Sequence, residues 1–341
     1  MTAVIKFEYL ISPLICTGKH VDDHVNGMRL LKEMVSSSNV NIKCEASILE
    51  NMTAAGYYPC AKVLSAAFPG GDECVHGAQD VAKLINNIIR EIEECSMEMS
   101  THVIEWEKFI VDPIIQTISD ERREYVNSFL KNILSRKELL KENFSMFYSQ
   151  RNEMLCQSQK FVLNGIIKDV YPSNGIKLPL SVSNDIMAYG NLNDFIQSVD
   201  GYSLYMIADN PSSLKCALFC GCVSFLNKNH PNESIEWDDF KIGDDFYDSL
   251  VRNQGAKGQE FSSVVYETII HALCRHPKNE VKAFRVSADS PDQRIVGDLK
   301  GFRTHITSRH QALRLMFWVD SSRIITLANI GPKFEETISL P

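Results

Sequence analysis

Between Lys300 and Asp320 the chain holds Lys300, Arg303, His305, Arg309, His310 and Arg314, and no acidic residue. Guanidinium groups grip phosphate oxygens through paired hydrogen bonds, and a lysine adds a point charge. Imidazole titrates near neutrality, so His305 and His310 can each accept or return a proton. A cluster of this composition suits a phosphate-bearing polyanion. The wider charge distribution agrees. Residues 251–341 carry 13 Lys/Arg against 9 Asp/Glu, a net +4, whereas the rest of the chain carries a net −12.

The other groupings carry less chemistry. Cys16, His20 and His24 lie four apart, as zinc ligands on one helical face do, but Gly18 opposes a helix there and no fourth ligand is evident. Cys216, Cys220 and Cys222, followed by His230, sit among Leu214, Ala217, Leu218, Val223 and Phe225, which predicts buried thiols in a core. His271, Cys274 and His276 close an apolar helix before Pro277, where histidine serves the carbonyl end. Asp22, Asp23, Glu45 and Glu50 are too loosely placed for the acidic pocket of a metal-dependent nuclease. No P-loop, dinucleotide fingerprint or G-x-S-x-G elbow occurs. Neither a metal site nor a cofactor is expected.

The elements that must position the basic cluster are legible from periodicity. Residues 301–307, 312–320 and 323–330 alternate as three strands, with the polar turn Asp320–Ser321–Ser322 joining the last two. Arg303 and His305 then share one face of the first strand, and Arg314, Met316 and Trp318 lie opposite the inward row Leu313, Leu315, Phe317 and Val319. Lys300, Arg309 and His310 are expected to join them on one side of the sheet. A short strand at 235–237 and helices at 244–253 and 259–275 precede these strands. Upstream, residues 4–11 read as a strand and 20–35 as a helix. Residues 79–168 read as helical almost throughout, with Val126, Phe129, Leu130, Ile133 and Leu134 in an apolar stripe and Glu121, Arg122, Arg123 and Glu124 on a solvated face.

The fold class expected is α/β (α+β): a helix-rich N-terminal body and a small C-terminal domain of two helices packed on an antiparallel sheet. The divisions fall at 1–78 (a small α/β segment), 79–170 (helical), 171–232 (connecting) and 233–341. Ordinary globular composition, 44% hydrophobic and 23% charged, excludes low-complexity and collagenous classes. No apolar run approaches the ~18 residues of a membrane span. Lys6 and Glu8 interrupt the apolar first residues, which opposes a signal peptide. Ten cysteines without regular spacing fit reduced thiols in the cytoplasm.

The C-terminal order of strand, two helices and strands resembles the RelE/ParE superfamily of bacterial toxins. The resemblance covers about residues 233–336. It rests on Asp298–Leu299–Lys300–Gly301–Phe302–Arg303, on the strand from Leu313 to Asp320 and on that from Ile324 to Lys333. It implies either metal-independent cleavage of messenger RNA, usually on the ribosome, or poisoning of DNA gyrase. The two histidines favour a toxin-like endoribonuclease, a hydrolase-type activity of toxin–antitoxin or phage-defence systems. Such cleavage needs a base for the 2′-hydroxyl proton, an acid for the leaving oxygen and cations for the phosphorane. His305, His310 and Arg314 are the expected catalytic residues, and Lys300, Arg303 and Arg309 the expected RNA contacts. The acidic helical region would meet an antitoxin or partner protein, or restrain the basic domain. The alternative is a non-enzymatic interaction protein whose basic end docks on nucleic acid or protein. A third arrangement places the catalysis in the N-terminal part.

Overall fold

The computed structural model describes residues 2–18, 21–37, 40–68, 75–95, 102–172, 175–287, 290–307 and 312–340. Chain packing divides it into two units, Met1–Ser36 with Val40–Phe195, and Ile196–Pro341. The molecule is mixed α and β with two sheets. Among the described residues no helix is long and apolar enough to cross a membrane.

The first unit runs β1 (Thr2–Ile5), α1 (Phe7–Leu10), α2 (Ser12–Ile15), α3 (Val21–Ser37), β2 (Asn41–Glu45), α4 (Ile48–Ala54), α5 (Ala61–Leu64), α6 (Ala78–Glu91), β3 (Glu94–Cys95), β4 (Val103–Asp112), α7 (Asp120–Leu140), β5 (Phe144–Phe147), β6 (Gln159–Tyr171) and β7 (Leu180–Tyr189). These strands form one sheet in the order β3-β2-β1-β5-β7-β6-β4. The run from β3 to β7 is parallel, and β6 and β4 add antiparallel strands. Strands buried on both faces are short and apolar, as β1 and β5 are. β6 instead alternates, burying Phe161, Leu163 and Ile167 while Lys160, Val162 and Lys168 face out. Val126, Phe129, Leu130, Ile133 and Leu134 of α7 pack on this sheet with Met146, Phe161, Leu163, Val182 and Ile186. That stripe is the one periodicity predicts.

Three expectations are corrected here. Residues 79–168 are not helical throughout: β4 and β6 lie among them, and alternation repeats apolar residues two and four apart, a spacing of four that a helical face shares. Residues 171–232 are not a connector, since they contain β7, α8 (Leu192–Ser198), α9 (Gly201–Tyr205) and the nineteen-residue α10 (Pro211–Asn229). The strand expected at 4–11 ends at Ile5, and all four residues of α1 are buried, so alternation there does not report a face.

Burial of Glu8 is possible because it is paired. Arg122, only 6% exposed, donates from Nε to Glu8 Oε1 at 2.5 Å and from Nη2 to Glu8 Oε2 at 2.7 Å. The same Nη2 reaches Glu45 Oε2 at 2.7 Å, and Lys6 Nζ lies 2.6 Å from that oxygen. Lys6 also sits 3.8 Å from the Phe129 ring centroid, and the Arg122 guanidinium 4.2 Å from that of Phe7. Burial works against the charge on Arg122, but hydrogen bonds and attraction from Glu8 and Glu45 outweigh it and hold its pKa above the ordinary value. Burial lowers the pKa of Lys6, and Glu45 opposes that shift. Arg122 is therefore an internal residue of α7 and not part of a solvated face.

The second unit continues from α9 and α10 through β8 (Phe240–Ile242), α11 (Phe246–Arg252), α12 (Ser262–Leu273), β9 (Lys282–Ala283), β10 (Ile295–Val296), β11 (Leu299–His305), β12 (Arg314–Val319) and β13 (Ile325–Gly331). The sheet order is β10-β11-β12-β13-β8, with β9 beside β11. β8 pairs parallel to β13 and the other pairs are antiparallel, so the sheet is mixed. The short strand lies at 240–242, not 235–237. The helix side of the sheet is fixed by Ser249, whose Oγ accepts from Ile330 N at 2.9 Å, and by Asn253, which donates to the Ile330 carbonyl at 3.0 Å. Gly255 lies here too, where a Cβ would come within 2.9 Å of Ile330 Cδ1. On the opposite face Met316, Trp318 and Ala328 pack with Phe284 and Ile338. The C-terminal segment is latched there by Trp318 Nε1 donating to the Ser339 carbonyl at 2.7 Å and by Asn329 Nδ2 donating to that of Thr337 at 3.2 Å.

Removing one member of a buried ion network strands its partners without water. Arg122→Ala is expected to lower stability by about 3–5 kcal/mol. Arg123→Ala, which removes an exposed pair with Asp120, is expected to cost less than about 1 kcal/mol. Urea denaturation of both variants checks the contrast.

Candidate nucleic-acid interface

β11 and β12 pair in unbroken antiparallel register from Lys300↔Val319 to His305↔Arg314. His305 and Arg314 therefore lie directly opposite one another, and Arg303 opposite Met316, all on the face that carries Trp318. The sequence places these three residues together, and the register agrees. Lys300 is different. It stands three positions from Arg303 in a strand without a bulge, so it belongs to the other face, where it is exposed. Arg309 and His310 lie outside the described residues.

Two further cations join the cluster. Lys282 pairs with Arg303 across β9 and β11. Lys333, just beyond β13, offers its carbonyl to Arg314 Nη1 at 2.8 Å. Sequence reasoning did not assign either residue. The link to Lys282 runs through a two-residue strand, and the approach of Lys333 follows from the C-terminal segment returning over the sheet.

The electrostatics of the cluster follow from its composition. Partial burial, then Arg314, Lys282, Arg303 and Lys333, hold the His305 pKa below the ordinary histidine value. Arg314 is lowered as well, by burial and then by Arg303. Among the described residues no carboxylate pairs with Arg303, His305 or Arg314, and the buried Nε of Arg314 has no hydrogen-bond partner. The cluster can thus donate hydrogen bonds to an anion beside an imidazole whose neutral form its surroundings favour. Its main chain is held in place: Asn279 Nδ2 donates to the His305 carbonyl at 2.8 Å, and Thr304 Oγ1 donates to the carbonyls of Asn279 and Glu280.

Several other groups considered from the sequence are accounted for by packing and pairing. Glu45 is held by Lys6 and Arg122, which removes it from any acidic metal pocket. The His24 ring lies 4.8 Å from that of Tyr9, and burial pushes its pKa down to about 4. Cys16 donates to the Gln150 carbonyl at 3.3 Å, and His20 lies outside the described residues. Cys216, Cys220 and Cys222 are fully buried in α10, as their apolar neighbours predict. No protein-family model matches the chain, and neither a curated protein nor a solved structure is found to be similar to it.

If neighbouring cations depress His305, removing one must raise it. A histidine NMR titration is expected to show His305 below a free histidine in the wild-type protein and closer to it in Arg314→Ala. Since the folded state favours the neutral ring, this group subtracts stability only as pH falls through the unfolded histidine value near ~6.5.

Proposed function

We propose that the second unit binds the phosphate backbone of RNA at the β11–β12 face and cleaves it without a metal, in the manner of the RelE-like toxins that the sequence resembles. The observation that carries this reading is a partly buried imidazole directly across from an arginine whose Nε lacks a partner, within a cluster of cations. Arg303 and Arg314 hold the phosphate through guanidinium hydrogen bonds. His305 accepts the proton of the 2′-hydroxyl as its oxygen forms a bond to phosphorus. The bond from phosphorus to the 5′ oxygen breaks, and that oxygen takes a proton from His310, the other of the two histidines expected from the sequence to share the proton transfers. The products are a 2′,3′-cyclic phosphate and a 5′-hydroxyl. Depression of the His305 pKa supports the role of base, because a base must be unprotonated at the working pH.

Purified full-length protein incubated with RNA, with and without ribosomes and with magnesium withheld, tests this reading. Cyclic phosphate ends are expected. His305→Ala is expected to reduce cleavage by ~10²–10⁴-fold while binding survives. Arg314→Ala is expected to weaken RNA binding by about 1.5–3 kcal/mol, with poor rescue by Arg314→Lys, since an ammonium lacks the planar fork. Salt-sensitive RNA binding without any cleavage would replace the enzyme by a docking module. Full cleavage in His305→Ala would remove the assignment altogether.

A further inference from the structure

α10 and α12 end beside one another with their last turns rich in imidazole. His230 caps α10, and Glu233 turns back so that its N–H donates to the His230 carbonyl at 2.9 Å. His276 follows α12 after Arg275, whose φ of 61° reverses the chain. The two separate histidine groups noted in the sequence thereby meet. The rings of His230 and His276 lie 3.6 Å apart at 7°, and both face the Glu233 carboxylate. His276 Nε2 is 3.0 Å from Glu233 Oε2, and His230 Nδ1 is 3.8 Å from Glu233 Oε1.

We propose that His230, Glu233 and His276 bind a zinc ion. One ligand atom from each residue lies within 4.8 Å of the other two, and no other His/Cys/Asp/Glu group among the described residues is so gathered. Ligands on a tetrahedral zinc stand about 3.3 Å apart at bond lengths of about 2.0–2.2 Å, and the two rings must tilt out of their parallel stack to bring one ion into both ring planes, so coordination replaces the stacking contact. Two imidazoles and one carboxylate select zinc and its first-row neighbours over the hard cations magnesium and calcium, which prefer oxygen. Partial exposure of all three residues gives an ion access and leaves the fourth position to water.

The surroundings are those of a supported site. His271 Nδ1 lies 2.8 Å from the His276 carbonyl and fixes the loop that carries this ligand. The Phe225 ring packs against His230, His271 and His276 with centroids 5.7, 4.5 and 6.4 Å away, an apolar wall on one side of the ligands. The ion would tie the turn after α10 to the turn after α12. In its absence the same residues form only a partly exposed ion pair and a ring stack, which hold the turns weakly.

The full-length chain, freed of metal by a chelator and then dialysed, is titrated with zinc against a chromophoric chelator. One equivalent is expected to bind. Cobalt in place of zinc is expected to give the intense visible absorption of a four-coordinate ion. His230→Ala, Glu233→Gln and His276→Ala should each weaken zinc binding by roughly tenfold or more, and His230→Ala/His276→Ala should abolish the cobalt spectrum. His305→Ala, outside the cluster, should bind like wild type. Absence of stoichiometric binding to the wild-type chain would overturn the proposal, whatever the variants do. So would binding that persists in the folded double variant, which would place the ion elsewhere.

Discussion

The first unit depends on one guanidinium. Arg122 lies in the first turn of α7, and its donors meet carboxylates from α1 and from the end of β2. It therefore fixes where the helix starts relative to the carboxyl ends of two adjacent parallel strands. Hydrophobic packing alone tolerates sliding of a helix over a sheet. A forked pair to Glu8 does not, because displacement leaves buried charges without partners. Lys6 completes the balance by supplying a second cation to Glu45. With α7 anchored at this end, its stripe from Val126 to Leu134 falls on Met146, Phe161 and Val182. The network acts as a register device as much as a source of stability.

The second unit fixes its sheet differently. Helix residues bind one side through Ser249 and Asn253, while the chain's own C-terminal segment covers Met316 and Trp318 on the other. That return brings the Lys333 carbonyl to Arg314 and its charge to the group around His305. A side of the sheet that alternation describes as open is thus partly roofed. Enclosure strengthens each electrostatic interaction beneath it and gives Arg314 a fixed direction, whereas an exposed arginine would spread over many rotamers.

Legibility of the sequence followed the range of the interactions that decide each element. The strands around Arg303 and Arg314, the turn at Asp320 and the stripe of α7 are set by neighbours a few positions apart, so periodicity finds them. Arg122 sits in a run of charges that reads as solvated, and its partners lie 114 and 77 residues away. Nothing local signals its burial. The long strands β4 and β6 resemble amphipathic helices because their apolar and charged residues satisfy both periods over short windows. Lys300 was a matter of parity: three positions from Arg303 in a regular strand reverses the face. His230 and His276 each look like helix-end histidines, and only the pairing of α10 with α12 brings them to Glu233.

One rule sorts the charges of both units. An arginine enclosed by carboxylates is spent on the fold, as Arg122 is, and can do nothing further without breaking it. Arg303 and Arg314 are enclosed by other cations and by an imidazole, with Lys333 contributing only a neutral carbonyl to Arg314. Such a group is electrostatically costly to maintain, because each member lowers the affinity of its neighbours for their protons. Folding stability gives no reason to assemble it. An anionic ligand would relieve the repulsion and supply an acceptor to the unpartnered Nε of Arg314, which is the physical ground of the proposed function.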